Sequence, residues 1–168
     1  MKTKKVPARK TVRKKEKTLK MVIAVRHGEY DRQTKELDTL GIQQVSALAK
    51  AVRNLTTGKT VEVVSSTTSR GQQSADIIAR VLDARIERSG VLTSDQYDDG
   101  AELMAELLAK RNGAEVIVAV THYEAPSGIV NAFRRKHFQA GFDCLESEYG
   151  DGCLINLETG EVKETLLP

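Results

Sequence analysis

Two cysteines, Cys144 and Cys153, are too few in 168 residues for a disulfide framework, and neither joins a C-x-x-C pair or a His/Cys cluster. Both read as ordinary buried thiols, and no metal or other cofactor is expected. Long apolar runs are missing too. None approaches the roughly 18 residues that a membrane span needs, and the basic start of the chain lacks the apolar stretch of a secretory signal, so the expectation is a soluble cytoplasmic protein. No internal repeat is visible. The length excludes two ordinary domains, while 40% hydrophobic content is enough for one substantial core.

Acidic residues are almost absent from the first twenty positions, which hold ten Lys/Arg and one Glu for a net charge of +9. The remainder holds 16 basic and 22 acidic residues, a net of −6. Few apolar side chains and strong like-charge repulsion give the first stretch no reason to pack, so a flexible basic arm over residues 1–19 and one domain over 20–168 are expected. Such an arm can hold a polyanion by non-specific charge, or serve as a solvated or targeting segment. It is Lys-heavy and has no Ser, which argues against a mitochondrial presequence.

Beyond the arm, apolar strands alternate with helical patterns, the signature of a mainly parallel sheet covered by helices. Strands are predicted at Met21–Val25, Val61–Val64 and Glu115–Val120, with a short edge segment at Arg85–Glu87. Helical spacing links Leu40, Val45, Leu48, Ala49 and Val52, with Asp38 or Thr39 as the cap. A second helix carries Ala75, Ile78, Val81 and Leu82, and a third Leu103, Met104, Leu107 and Leu108. Pro126 suits the first turn of a fourth that runs through Phe133. Cys153–Leu157 and Glu161–Leu166 flank Glu158-Thr159-Gly160 as a C-terminal hairpin.

In open α/β sheets a ligand crevice lies beyond the carboxyl ends of the strands, so the residues that follow each strand carry the chemistry. The first strand runs into Arg26-His27-Gly28-Glu29, the second into Ser65-Ser66 and then Arg70, and the later one into Thr121-His122. Arg70 falls near a helix start, where the macrodipole disfavours a cation unless an anion is bound. Guanidinium forks match phosphate oxygens at two points, and helix-start N–H groups add to such a site. Either arginine alone reads rather as a surface ion-pair partner; four such residues converging on one sheet edge read as a phosphate site. His137, in Arg134-Arg135-Lys136-His137, reads as a basic helix end without a catalytic part.

These residues resemble the histidine phosphatase superfamily over nearly all of residues 21–166. The blocks are Val22-Ile23-Ala24-Val25-Arg26-His27-Gly28-Glu29; Leu37-Asp38-Thr39-Leu40-Gly41-Ile42-Gln43-Gln44, similar to L-T-x-x-G-x-x-Q; Ser65-Ser66-Thr67-Thr68-Ser69-Arg70-Gly71-Gln72-Gln73-Ser74-Ala75, similar to S-S-P-L-x-R-A-x-Q-T-A; and Val120-Thr121-His122. The resemblance implies a three-layer α/β/α fold like that of phosphoglycerate mutases. It implies His27 as nucleophile, Arg26, Arg70 and His122 binding the phosphoryl group, and Glu29 behind them. The departures are Tyr30-Asp31 where Ser or Thr is common, Thr67-Thr68 for Pro-Leu, and Tyr123 where glycine is frequent. Many members carry a general acid as a Glu in the loop after the third short strand; Asp95 is the candidate here, and Asp98 and Asp99 read as exposed acids.

The expected reaction is metal-independent hydrolysis of a phosphomonoester or phosphohistidine through a phosphohistidine on His27. Two guanidiniums and a protonated His122 would supply the charge that magnesium supplies elsewhere. His27 must be neutral at its attacking nitrogen, held in that tautomer by a bond from the other ring nitrogen to a backbone carbonyl. Gly28 is expected to let the chain turn tightly behind it. Only the 51 residues 71–121 separate Arg70 from His122, which leaves no room for a large cap and favours small phosphohistidine phosphatases over mutases. Substrates would be phosphorylated small molecules or phosphoproteins. The alternative is a catalytically weak phospho-ligand-binding module tethered by its basic arm.

Overall fold

One six-stranded sheet runs through the middle of the computed structural model, which describes residues 18–93, 97–141 and 147–167. In chain order the elements are β1 (Met21–Arg26), α1 (Thr39–Leu55), β2 (Val61–Ser65), α2 (Ser69–Leu82), β3 (Arg85–Arg88), a 3-10 turn (Gly90–Thr93), α3 (Tyr97–Ala109), β4 (Val116–Thr121), α4 (Ala125–Phe138), β5 (Gly152–Asn156) and β6 (Val162–Lys163). Across the sheet the order is β3-β2-β4-β1-β5-β6. The first four are parallel, β5 runs antiparallel to β1, and β6 antiparallel to β5.

Alternation along the strands builds two cores. Ile23 and Val25 of β1, Val63 of β2 and Val116, Val118 and Val120 of β4 face Val45, Leu48, Ala49 and Val52 of α1 and Ala75, Ile78 and Ala79 of α2. Val22, Ala24, Val64, Ile117 and Ala119 point the other way, onto Met104 and Leu108 of α3 and Ile129, Val130 and Phe133 of α4. Strands covered on both faces need apolar residues at every position, which is why β1 and β4 are continuous apolar runs. Leu19 packs against the second of these clusters, and Lys20 pairs with Glu115 at 3.2 Å.

The termini differ from expectation in three places. The fourth helix continues past Phe133 to Phe138, because Arg135, Lys136 and His137 complement the negative end of its dipole, and Gln139 closes it in a left-handed conformation (φ 52). The second arm of the C-terminal hairpin is only Val162–Lys163; beyond it the chain is held by Asp151 Oδ1, which accepts from the N–H groups of Leu166 and Leu167 at 2.8 and 3.2 Å. Leu40 and Leu103 sit on the outer faces of α1 and α3, 49% and 54% exposed, so the apolar stripe of each helix is narrower than its sequence spacing suggests. Cys153 is buried as expected, and Cys144 lies outside the described residues.

Candidate active site

Register assembles the site. Arg26 at the end of β1 pairs with Thr121 at the end of β4, and Ser65 at the end of β2 pairs with Val120. The residues one step further, His27, His122 and Ser66, therefore emerge side by side at the carboxyl edge of three adjacent strands. His27 and His122 lie edge to face with ring centroids 4.9 Å apart. Arg70, in the first turn of α2, reaches across so that its Nε–H donates to His27 Nε2 at 3.0 Å. Arg26, His27 and His122 are 4%, 3% and 8% exposed, so three potential cations share a site largely withdrawn from water.

His27 shows how a tautomer is set. Its Nδ1 lies 2.7 Å from the carbonyl oxygen of Gly28, which can only accept, so the ring proton resides on Nδ1 and the Nε2 lone pair faces Arg70. Burial lowers the ring's pKa to about 3, and the charges of His122, Arg70 and Arg26 push the same way, against the Gly28 carbonyl, which raises it. Among the described residues the charges that bear on this imidazole, those of His122, Arg70 and Arg26, disfavour a proton on it, so the ring is neutral and its surroundings favour an anion.

The loop that carries His27 is fixed by small residues and amide side chains. Gly28 and Gly41, the latter in the first turn of α1, press backbone to backbone; a Cβ on either would overlap the other loop, on Gly28 against Gly41 and on Gly41 against the Glu29 carbonyl. Gly28 is thus required for close approach rather than for a left-handed turn, its φ lying outside that region. Asp38 caps α1, accepting from the Gly41 N–H at 2.7 Å, and Gln44 Oε1 accepts from the Glu29 N–H at 2.9 Å. Thr68 caps α2 through the Gly71 N–H, and Gln73 Oε1 accepts from the Leu37 N–H at 2.7 Å. The glutamines and capping hydroxyls of the sequence blocks thus act as braces between loops.

Three residues at the site escaped the sequence reading of it. Ser74 accepts from the Gly28 N–H at 3.3 Å and donates to the Arg70 carbonyl at 2.8 Å, bridging the His27 loop to the arginine's helix; its signal was a small hydroxyl four positions after Arg70, on the same helix face. Ser147 accepts from Arg26 Nη1 through its carbonyl at 2.7 Å. Tyr149 places its ring 3.7 Å from the Arg26 guanidinium, in a segment tied back by the Gly150 N–H on the His27 carbonyl and the Arg26 N–H on the Asp151 carbonyl. Nothing in the sequence around 147–151 distinguishes a site wall from an ordinary turn before a strand.

The structure brings Arg26, His27, Arg70 and His122 together. Asp95 lies outside the described residues. The chain leading to it is anchored at the site: Thr121 Oγ1 donates to the Leu92 carbonyl at 2.9 Å, and Thr93 Oγ1 accepts from the Thr67 N–H at 2.9 Å. His137 is remote, stacking near-parallel on Phe133. Among the described residues no group of three or more His, Cys, Asp or Glu is placed to hold a metal ion, and no helix is long and apolar enough to cross a membrane.

Residues 22–93 match the sequence profile of the histidine phosphatase superfamily, branch 1. No curated protein matches the chain by sequence. The fold is shared with a protein assigned as phosphohistidine phosphatase SixA from Agrobacterium tumefaciens, at 14% identity and TM-score 0.63, covering 87% of this chain and 97% of that one. It is shared also with phosphoglycerate mutase from Plasmodium falciparum, at 19% identity and TM-score 0.56 (88% and 89%), and with mycobacterial glucosyl-3-phosphoglycerate phosphatase Rv2419c, at 15% and 0.55 (86% and 96%). The α/β fold is therefore similar to that of phosphoglycerate mutase-like proteins, and the resemblance read from the sequence is borne out over residues 22–93. It supports phosphatase- or mutase-type activity.

Proposed function

From the superfamily match over residues 22–93, we propose that this chain is a metal-independent phosphatase that hydrolyses a phosphomonoester or phosphohistidine through a phosphohistidine on His27. The observation that carries this reading is a neutral imidazole, its Nδ1 directed at the Gly28 carbonyl, among Arg26, Arg70 and His122. Such an arrangement suits an anionic electrophile and a neutral nitrogen nucleophile at once.

In the first step His27 Nε2 attacks phosphorus in line as the bond to the leaving atom breaks, and the leaving group takes that electron pair and a proton. Arg70 shifts its donors from His27 to the phosphoryl oxygens, where Arg26 and His122 share the charge that spreads over them. The Gly28 carbonyl steadies the Nδ1–H as positive charge develops on the ring. Water then attacks phosphorus and gives a proton back to the group that protonated the leaving atom, the P–Nε2 bond breaks, and orthophosphate leaves with the neutral imidazole restored. The proton donor we assign to Asp95, two positions after the anchored Thr93. An imidazole leaving group, as in phosphohistidine, depends on that donor less than an alcohol does. The basic arm over residues 1–19 we assign to non-specific polyanion contact alongside the domain formed by 20–168.

Hydrolysis of p-nitrophenyl phosphate in EDTA tests the mechanism. Turnover by the unmodified chain, its loss in His27→Ala by a factor of a thousand or more, and an acid-labile, base-stable phosphoenzyme are the expected results. Equal rates with and without His27, or tight phosphopeptide binding without turnover, would reject it.

A further inference from the structure

Three of the chain's four tyrosines stand at this one site, two of them at positions where the sequence departs from the superfamily pattern. Tyr30 lies 4.5 Å from the Arg70 guanidinium, and Tyr149 and Tyr123 lie 3.7 and 4.6 Å from that of Arg26. Tyr30 and Tyr149 also border the His27 ring, at 5.4 and 5.7 Å between centroids. Each of the two arginines is thus faced by at least one phenol ring.

Tyr123 is the least expected of the three. Its backbone is left-handed (φ 49), a region costly for a residue that carries a Cβ, and its side chain is 46% exposed, so burial recovers little. Glycine would relieve the backbone, and the ring's contact with Arg26 is what the tyrosine gains there. A strained, exposed aromatic at the mouth of an anion site is better placed to meet a ligand than to stabilise the fold.

Guanidinium groups hold phosphate through in-plane N–H edges, whereas rings take their flat faces, so the tyrosines and a phosphoryl group can engage the same arginines together. In-line attack by His27 Nε2 drives the leaving group away from the imidazole, and the rings that stand around that site are Tyr30, against Arg70, and Tyr123 and Tyr149, against Arg26. Aromatic faces and edges reward a planar ring there, by offset or edge-to-face contact, more than a flexible or polyhydroxylated chain.

Resting on the phosphatase reading above, we infer that the site selects phosphate carried on a flat aromatic ring, through a phenolic oxygen or an imidazole nitrogen, and that Tyr123 sets this preference. The test compares aryl phosphates with fluoroalkyl phosphates matched in leaving-group acidity, so that chemistry is equal and ring recognition differs. The expected kcat/KM ratio favours aryl by about threefold to tenfold, mostly through KM. Tyr123→Gly, which also relieves the backbone, should bring the ratio close to one, and Tyr123→Phe should keep it. Phosphotyrosine and phosphohistidine peptides then tell which ring is preferred. An equal ratio in the unmodified chain, or one indifferent to Tyr123→Gly, overturns the inference while leaving the phosphatase intact; no turnover of either series overturns the phosphatase reading itself.

Discussion

A proton on His27 would have to be held out of water and beside Arg26, Arg70 and His122, and this makes the residue a liability in acid. Its folded pKa of about 3 lies below the ordinary value of 6.5, so the unfolded chain binds the proton more readily. Above pH 6.5 neither state is protonated there and folding incurs no penalty. As pH falls from 6.5 towards 3 the unfolded state gains the proton first and stability declines, by roughly 1–2 kcal/mol at pH 5. Urea denaturation at pH 8 and pH 5 should show that loss, and His27→Gln, neutral throughout, should reduce it. An unchanged pH slope in the variant would place the acid sensitivity elsewhere. In the proposed mechanism the same depressed pKa keeps His27 able to attack well below neutrality, so an acid limb in kcat/KM near pH 5 to 6 would belong to another group or to the substrate.

At the scale of elements, the first turns of α1 and α2 brace the loop that carries His27. Asp38→Ala removes the cap on the Gly41 N–H and should cost about 1 kcal/mol. Gly41→Ala should cost more, at least 2–3 kcal/mol, because the added carbon collides with backbone at Glu29 that cannot yield without moving His27. Thermal denaturation ranks the two, and equal losses would show that the backbone approach is not tight. The strands and helices were legible because a sheet covered on both faces leaves its mark as apolar runs such as Val22–Val25 and Val116–Val120, and because Asp38 and Pro126 mark helix starts chemically. Arg26, His27 and His122 were legible as polar residues that follow those runs, and Arg70 as a cation near the start of the helix after the second strand. The Gly28–Gly41 approach was not, since a glycine kept for contact looks like one kept for a turn. Nor was Tyr149: its place beside Arg26 comes from the pairing of β5 with β1, which no local pattern announces.

At the scale of the whole molecule, charge divides the chain into a segment of +9 over residues 1–20 and a remainder of −6. The proposed arm and the proposed chemistry should therefore separate cleanly. Deleting residues 1–19 is expected to abolish salt-sensitive retention on heparin or RNA and to change p-nitrophenyl phosphate turnover less than twofold. Retention that survives the deletion would assign the contact to the domain. The remainder of the chain is closed on itself by Asp151. Its backbone carbonyl holds the Arg26 N–H, and one side-chain oxygen gathers the N–H groups of Gly152, Leu166 and Leu167. That carboxylate works as a buckle: loss of the Leu166 and Leu167 contacts would slacken the wall that carries the Tyr149 ring against Arg26, so residues far from His27 in sequence are mechanically next to it.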